Sequence, residues 1–402
     1  MKHSKMNEVF SKILQQHQQR HLKYSHFSIK DHWYLKDHID GFIPGYLKLF
    51  EYSPSLIEKA MCYYTMSYIP KIQQRFCQKI LNPFKHHYKK RLPDSIPFTP
   101  ILDSLETILS QHSHLIKLWT LADISSFLNH CIYTMLSLHK LPKDLYQEEK
   151  KIQNNYCIQL YPELRERLLN DSLPFDLLIY LVTKANCIDS SDEIHQQQIQ
   201  VFLNDVGNYL DGNTDYKEIL DSCNYFEDKA LYYDCCGEQK CFLYECDNHG
   251  EIFFDCLLIE YLLRKGHTVV LSLKSSPVLN DVTFQDFSTL LKSPALQHFQ
   301  DYLHNKSFHI INSGSNDVIK HLPFLSDDYK TWYHRSDCII SKGQGHFTSY
   351  PKCLLGLKNR SIRYQKPIFH SFILKSRYTQ HELRSVHKKA FRISEPYAKY
   401  FS

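Results

Sequence analysis

One stretch of this chain restricts its fold more than any other. Cys241-Phe242-Leu243-Tyr244-Glu245-Cys246 is a short apolar run of strand type, and it stops at Asp247-Asn248-His249-Gly250-Glu251. From Ile252 to Lys265 the apolar residues recur at helical spacing, closed by Gly266. His267 to Leu273 reads as a second strand and runs into Asn280-Asp281-Val282-Thr283. In a right-handed parallel crossover of this kind, the C-terminal ends of both strands lie on one edge of the sheet. Asp247, Asn248 and Asp281 are therefore expected to converge. Two carboxylates and an amide oxygen are hard ligands, suited to Mg²⁺ or Mn²⁺.

Glycine usage divides the chain. Only Gly41 and Gly45 precede Gly207, and the glycine-poor part carries Leu, Ile, Gln, Lys and His at helical spacing. Leu115, Leu118, Leu121, Ile124, Phe127 and Leu128 fit one helix face. Leu177, Ile179, Leu181 and Val182 belong to another helix, which starts near Ser172-Leu173-Pro174. A helical lobe is expected over 1–235. From 236 to 402 strand-like runs recur at 241–246, 267–273, 307–311, 337–341 and 367–374, with helical patterns between several of them. This is the alternation of an α/β sheet covered on both faces.

Composition narrows the function. The chain has 402 residues, 43% of them hydrophobic, enough for two domains or one large one. A net charge of +5 is too mild to call for nucleic acid. Thirteen scattered cysteines and a polar N-terminus predict reduced thiols in a cytosol-like compartment. Export into a host cell is the alternative to that compartment. No apolar run reaches the roughly 18–20 residues of a membrane span.

Further segments are expected at the same sheet edge. Asn312-Ser313-Gly314-Ser315-Asn316-Asp317 follows a strand, and small hydroxyl residues around a glycine can expose N–H groups to an anion. Ser341-Lys342-Gly343-Gln344-Gly345-His346-Phe347 places an ammonium and two close-approach glycines after another strand, which suits a phosphate. Asn186, at the end of the helix pattern near 176–184, is placed to reach the site from the helical lobe. Each segment also has a plainer reading. Asp247, Asn248 and Asp281 could be helix N-caps, Asn186 a C-cap, and the glycine segments ordinary turns.

At these residues the chain resembles the DUF89 damage-control phosphatases. Members of that family carry Asp-Asn-Ala-Gly-Glu after a strand, then Asn-Asp-Xaa-Thr, then Asp-Leu-Ile-Ile-Xaa-Lys-Gly-Gln-Gly-Asn-Phe-Glu. The corresponding segments here are 247–251, 280–283 and 336–348, in the same order. The Lys-Gly-Gln-Gly form is most similar to the small stand-alone prokaryotic members. The resemblance covers roughly 175–380; the first 170 residues match nothing. It implies a helical lobe on a Rossmann-like α/β domain, and one divalent cation (Mg²⁺ or Mn²⁺, with Co²⁺ or Ni²⁺ as alternatives) held by Asp247, Asn248 and Asp281. The activity it implies is hydrolysis of phosphate monoesters such as sugar phosphates or damaged phosphometabolites. Asp247, Glu251 and Lys342 are the catalytic candidates, with Lys342 on the substrate phosphate. Asn186, Ser313, Gly314, Ser315, Gly343, Gln344, Gly345 and His346 are the substrate-binding candidates.

The chain departs from that pattern at His249 for Ala, His346 for Asn and Thr348 for Glu. These departures also fit a second reading, a pseudoenzyme or module that binds a phosphorylated ligand or a protein partner through the helical lobe. Residues 71–91 carry seven Lys and Arg and no acid, which reads as a solvated basic face before it reads as a lipid or nucleic-acid contact. Cys235, Cys236, Cys241 and Cys246 lack the spacing of a zinc knuckle.

Overall fold

The structure is a computed structural model that describes residues 3–25, 103–105, 107, 121–141, 143–189, 193–215, 217, 235–318, 320, 325–343, 345–346, 368–373 and 391–393. Residues 71–91 and Gln344 lie outside the described residues.

Among the described residues five helices precede the sheet: α1 (His3–Ser25), α2 (Leu121–Leu138), α3 (Gln147–Leu169), α4 (Phe175–Lys184) and α5 (Glu193–Leu210). A 3₁₀ turn, Ala185–Asp189, follows α4 directly. The α/β part then runs β1 (Cys241–Glu245), α6 (Glu251–Arg264), β2 (Thr268–Leu273), α7 (Phe284–Leu290), α8 (Phe299–His304), β3 (Phe308–Asn312), α9 (Asp327–Arg335), β4 (Cys338–Lys342), β5 (Ile368–Ile373) and β6 (Phe391–Ile393).

All five strand-like runs of the sequence are strands, and with a sixth they form one sheet in the order β3-β2-β1-β4-β5-β6. The first five are parallel; β6, which sequence reading missed, is antiparallel to β5. β1, β2 and β4 are buried almost without interruption, which is why they read as continuous apolar runs and not as alternating ones. The order reverses between β1 and β4, and such a switch point opens a crevice at the C-terminal strand ends.

α6 is unusual for a globular helix in being buried at every residue from Glu251 to Glu260. It lies between the sheet and the helical layer, packing on β2 and on α3 and α4. A helix covered on both sides needs apolar residues all round, and Ile252-Phe253-Phe254, Leu257-Leu258-Ile259 and Leu262-Leu263 supply them. Each such side chain contributes roughly 1.5–3 kcal/mol by burial. One core therefore joins Tyr161 and Leu164 of α3 and Leu177 and Leu181 of α4 to Phe253 and Leu257 of α6 and Val269 and Leu271 of β2. Residues on both sides of position 235 share it. No helix among the described residues is long and apolar enough to cross a membrane.

Candidate active site

The two strand ends at the switch point meet closely. Glu245 of β1 is level with Ser341 of β4, so Asp247 and Gly343 leave the sheet side by side. Gly343 has φ +81°, and a Cβ there would stand 1.9 Å from Oδ2 of Asp247. The glycine is required both by its backbone and by the carboxylate beside it.

On the other side of β1, the loop after it is zipped to the loop after β2. Asn248 and Asp281 form an antiparallel bridge. The His249 N–H donates to Asn280 O at 3.0 Å, and the Val282 N–H donates to Asp247 O at 2.9 Å. Backbone bonds thus bring Asp247, Asn248 and Asp281 together. The capping roles go elsewhere. Gly250 is the N-cap of α6, with no side-chain bond, and Thr283 caps α7 in a capping box with Asp286.

Beneath Asp247 lies a buried network on the α6 face of the sheet. Asn186 donates from Nδ2 to Oδ2 of Asp247 and to Oε2 of Glu251, both at 3.0 Å. Asn248 makes the same pair of bonds, at 2.8 and 3.1 Å. Lys342 Nζ is 2.6 Å from Oε1 of Glu251 and 3.2 Å from Oδ1 of Asp255. It also donates to the Val182 carbonyl. The Tyr244 hydroxyl donates to Oδ1 of Asp255 at 2.7 Å. Burial, opposed by Lys342 and reinforced by Glu251, pushes the Asp255 carboxyl up to about 7. Burial pulls Lys342 down, but Asp255 and Glu251 outweigh it and leave the ammonium above its usual range.

Two sequence expectations need correction. Lys342 was expected on a substrate phosphate. Its side chain has no solvent exposure and its ammonium is enclosed by Glu251, Asp255 and Val182. The reason is strand alternation: Lys342 shares the parity of Ile340, level with Tyr244, and so faces α6. The N–H groups of Ser313, Gly314 and Ser315 were expected to face an anion. They donate instead to Leu273 O at 2.8 Å, Asn312 Oδ1 at 2.9 Å and Ser313 Oγ at 3.2 Å.

The opposite face of the sheet holds a second buried polar cluster. Lys320 and the Tyr329 hydroxyl both bond Oε1 of Glu245, and His346 Nδ1 is 3.6 Å from Oε2. Burial, opposed by Glu245, brings Lys320 down to about 8. Burial, with Lys320 and Lys274 nearby, holds His346 well below the usual histidine range, and so neutral. These groups line a small cavity with Lys274, Ser313 and Ser315. Lys274 Nζ is 3.2 Å from Oδ2 of Asp281 and donates to Asp317 O at 2.6 Å, which ties the loop after β3 to the site. Gly345 lies beside this loop, where a Cβ would stand 3.0 Å from Val318 O. Sequence reading missed Asp255, Glu245, Lys274, Lys320 and Tyr329. A signal existed for two of them: Asp255 is four residues after Glu251 on a mostly apolar helix, and Glu245 ends an apolar strand.

His249, a departure from the family pattern, is structural here. Its Nε2 meets Asp286 Oδ2 at 3.0 Å, and its Nδ1 meets Asn154 Nδ2 of α3 at 3.0 Å. A carboxylate partner puts the proton on Nε2 and leaves Nδ1 to accept. Burial, against the pull of Asp286, keeps the ring below its ordinary value. Gly250 N–H donates to the same Asn154 at 2.8 Å. The position thus pins the helical layer to the motif loop.

Two carboxylates and one carboxamide are a fitting donor set for a small divalent cation, and the bridge between Asn248 and Asp281 brings the two halves of the set together. Among the described residues no group of three or more His, Cys, Asp and Glu side chains could hold a metal. The fit therefore depends on the oxygen of Asn248. The cysteines near β1 make no such group either; Cys236 lies 3.1 Å from the Tyr261 hydroxyl.

The strand order and the polar cluster at its switch point define a doubly wound α/β protein with its site at the strand ends. The chain belongs to the damage-control phosphatase family: the model of the damage-control phosphatase ARMT1-like domain matches residues 70–361. The match begins well upstream of the motifs, within the segment that resembled nothing by sequence reading. The chain is 28% identical over 200 residues to the damage-control phosphatase PH1575 of Pyrococcus horikoshii, covering 50% of this chain and 60% of that protein. It is 27% identical over 239 residues to the uncharacterized protein MJ0202 of Methanocaldococcus jannaschii, covering 57% and 69%. The crystal structure of a DUF89 family protein from P. horikoshii superposes with a TM-score of 0.54 at 19% identity, over 80% of this chain and 97% of that one, and shares the fold. Family membership supports a phosphatase role.

Proposed function

We propose that this chain is a metal-dependent phosphatase that hydrolyses phosphate monoesters of small metabolites, sugar phosphates or damaged phosphometabolites among them. The observation that carries the reading is the convergence of Asp247, Asn248 and Asp281 at the switch point, in a chain of this family. Asp247, Asn248 and Asp281 would hold one Mg²⁺ or Mn²⁺, with Co²⁺ or Ni²⁺ as substitutes. When bound, such a cation neutralises phosphate charge and acts as a Lewis acid.

The chain's own residues do the rest. Lys274 holds Asp281 and the loop that carries Ser313 and Ser315, two residues that line the cavity. Neutral His346 offers a ring nitrogen to a substrate hydroxyl or phosphate oxygen in the same cavity. Gly343 makes room for the Asp247 carboxylate, and Gly345 for the Val318 carbonyl. Lys342 belongs to the support of Glu251 and not to the substrate. Positioning and charge neutralisation are what phosphoryl transfer demands of a protein.

The test is phosphate release from an aryl phosphate and a panel of sugar phosphates, using metal-stripped protein with Mg²⁺, Mn²⁺, Co²⁺ or Ni²⁺ added back. Asp281→Ala is expected to abolish metal-dependent turnover without unfolding the chain. Full activity in that variant would refute the metal assignment.

A further inference from the structure

The three oxygen donors at the switch point include one group that can face either way. An asparagine presents an oxygen to a cation in one orientation and an NH₂ in the other. Here the choice is fixed. Asn248 Nδ2 donates to Asp247 Oδ2 at 2.8 Å and to Glu251 Oε2 at 3.1 Å, so its oxygen is directed away from both. Asn186 Nδ2 donates to the same two oxygens, which orients a second carboxamide the same way and steadies the carboxylates from the side of α4.

We propose that Glu251 is a positioning residue: it sets the carboxamide of Asn248 with its oxygen toward the cation, and Lys342 with Asp255 holds Glu251 in place to do so. This rests on the metal reading above. Glu251 has no solvent exposure, and Lys342 is its cationic partner at 2.6 Å. Asp255 holds the far side of that ammonium at 3.2 Å and is held in turn by Tyr244. The result is a chain of ion pairs and hydrogen bonds from the sheet interior to the amide of Asn248. Partners that orient metal ligands from behind typically change metal affinity roughly 10- to 100-fold when removed.

The experiment measures Mn²⁺ binding to the metal-stripped full chain by the loss of the free-ion EPR signal, with metal-free melting temperatures recorded in parallel. Glu251→Gln keeps the shape but can present an NH₂ to Asn248, and it is expected to weaken binding at least about ten-fold. Glu260→Gln is the matched control. It lies on the same helix, is equally buried and is paired with Arg165 at 2.7 Å, yet it is remote from the ligands. It is expected to bind Mn²⁺ as the parent does. Asn248→Asp removes the ambiguity, since both ends are oxygen. Added to Glu251→Gln it is expected to restore binding, and added to the parent, where it sets a carboxylate against those of Asp247 and Glu251, to lower it, a non-additivity that a merely structural Glu251 would not give. If Glu251→Gln melts early, Glu251→Asp, too short to reach both amides, carries the same expectation. Unchanged affinity in the Glu251 variants, an equal loss in Glu260→Gln, or additive behaviour of Asn248→Asp would each overturn the proposal. A parent protein that binds no Mn²⁺ would overturn the metal reading itself.

Discussion

The carboxylate of Asp247 occupies the space that any side chain at residue 343 would need, at 1.9 Å from the place of a Cβ. β1 and β4 are adjacent but far apart in sequence, so this packing couples two motifs through one missing methyl group. Gly343→Ala must move Asp247 or the backbone at 343. We expect a loss of phosphatase activity on the order of 100-fold, as for a displaced reacting group. A further destabilisation of about 1 kcal/mol should follow from the left-handed backbone. Steady-state kinetics with urea melts would check both; near-parent activity would mean that Asp247 is not needed where it stands.

The buried Asp255 gives the protein a particular pH response. Its folded-state value, about 7, lies above its unfolded one, so the carboxyl binds more protons when folded. Its contribution is fully present below the unfolded value near 4 and is lost as pH rises through 7. Asp255→Asn keeps the shape and removes the titration. We expect the loss of stability between pH 5 and pH 8 to be smaller in the variant than in the parent, read from urea midpoints at both pH values. Parallel slopes would show that Asp255 stays ionised throughout.

His249→Ala restores the family's usual residue, yet in this chain it strips two bonds from a buried junction. Asn154 and Asp286 would both lose a partner. A cost of about 1–3 kcal/mol is expected, with turnover per folded molecule retained. A thermal melt beside a specific-activity measurement separates the two effects. Lost activity with an unchanged melt would move His249 from the junction into the chemistry.

Ligand binding should be visible in stability alone. Mn²⁺ at 100 times its dissociation constant is expected to stabilise the parent by about 2.7 kcal/mol, and Asp281→Ala not at all. Differential scanning calorimetry with and without the ion provides the measurement.

The strands were legible because a sheet covered on both faces writes each one as an unbroken apolar run. The convergence of Asp247, Asn248 and Asp281 was legible because parallel strands share one end. The direction of Lys342 was harder. Its residue type suggested phosphate, whereas its parity with Ile340 turned it toward α6, where Glu251 and Asp255 wait one helical turn apart. The serine loop failed as an anion nest for a local reason: Asn312 and Ser313 side chains, and the Leu273 carbonyl, took its N–H groups first. β6 has only three residues and pairs on one edge, too little periodicity to read.

α6 starts at the site with Glu251 and has no solvent-facing side until Tyr261 and Arg264. Such a helix has no way to fray from its first turn by itself, since exposing it means parting the sheet from α3 and α4. Its amide hydrogens should therefore exchange only through global opening, at the slowest rate in the molecule. The helix becomes a built-in gauge: whatever grips Glu251 is recorded as slower exchange many residues away, deep in the fold and out of reach of any ligand.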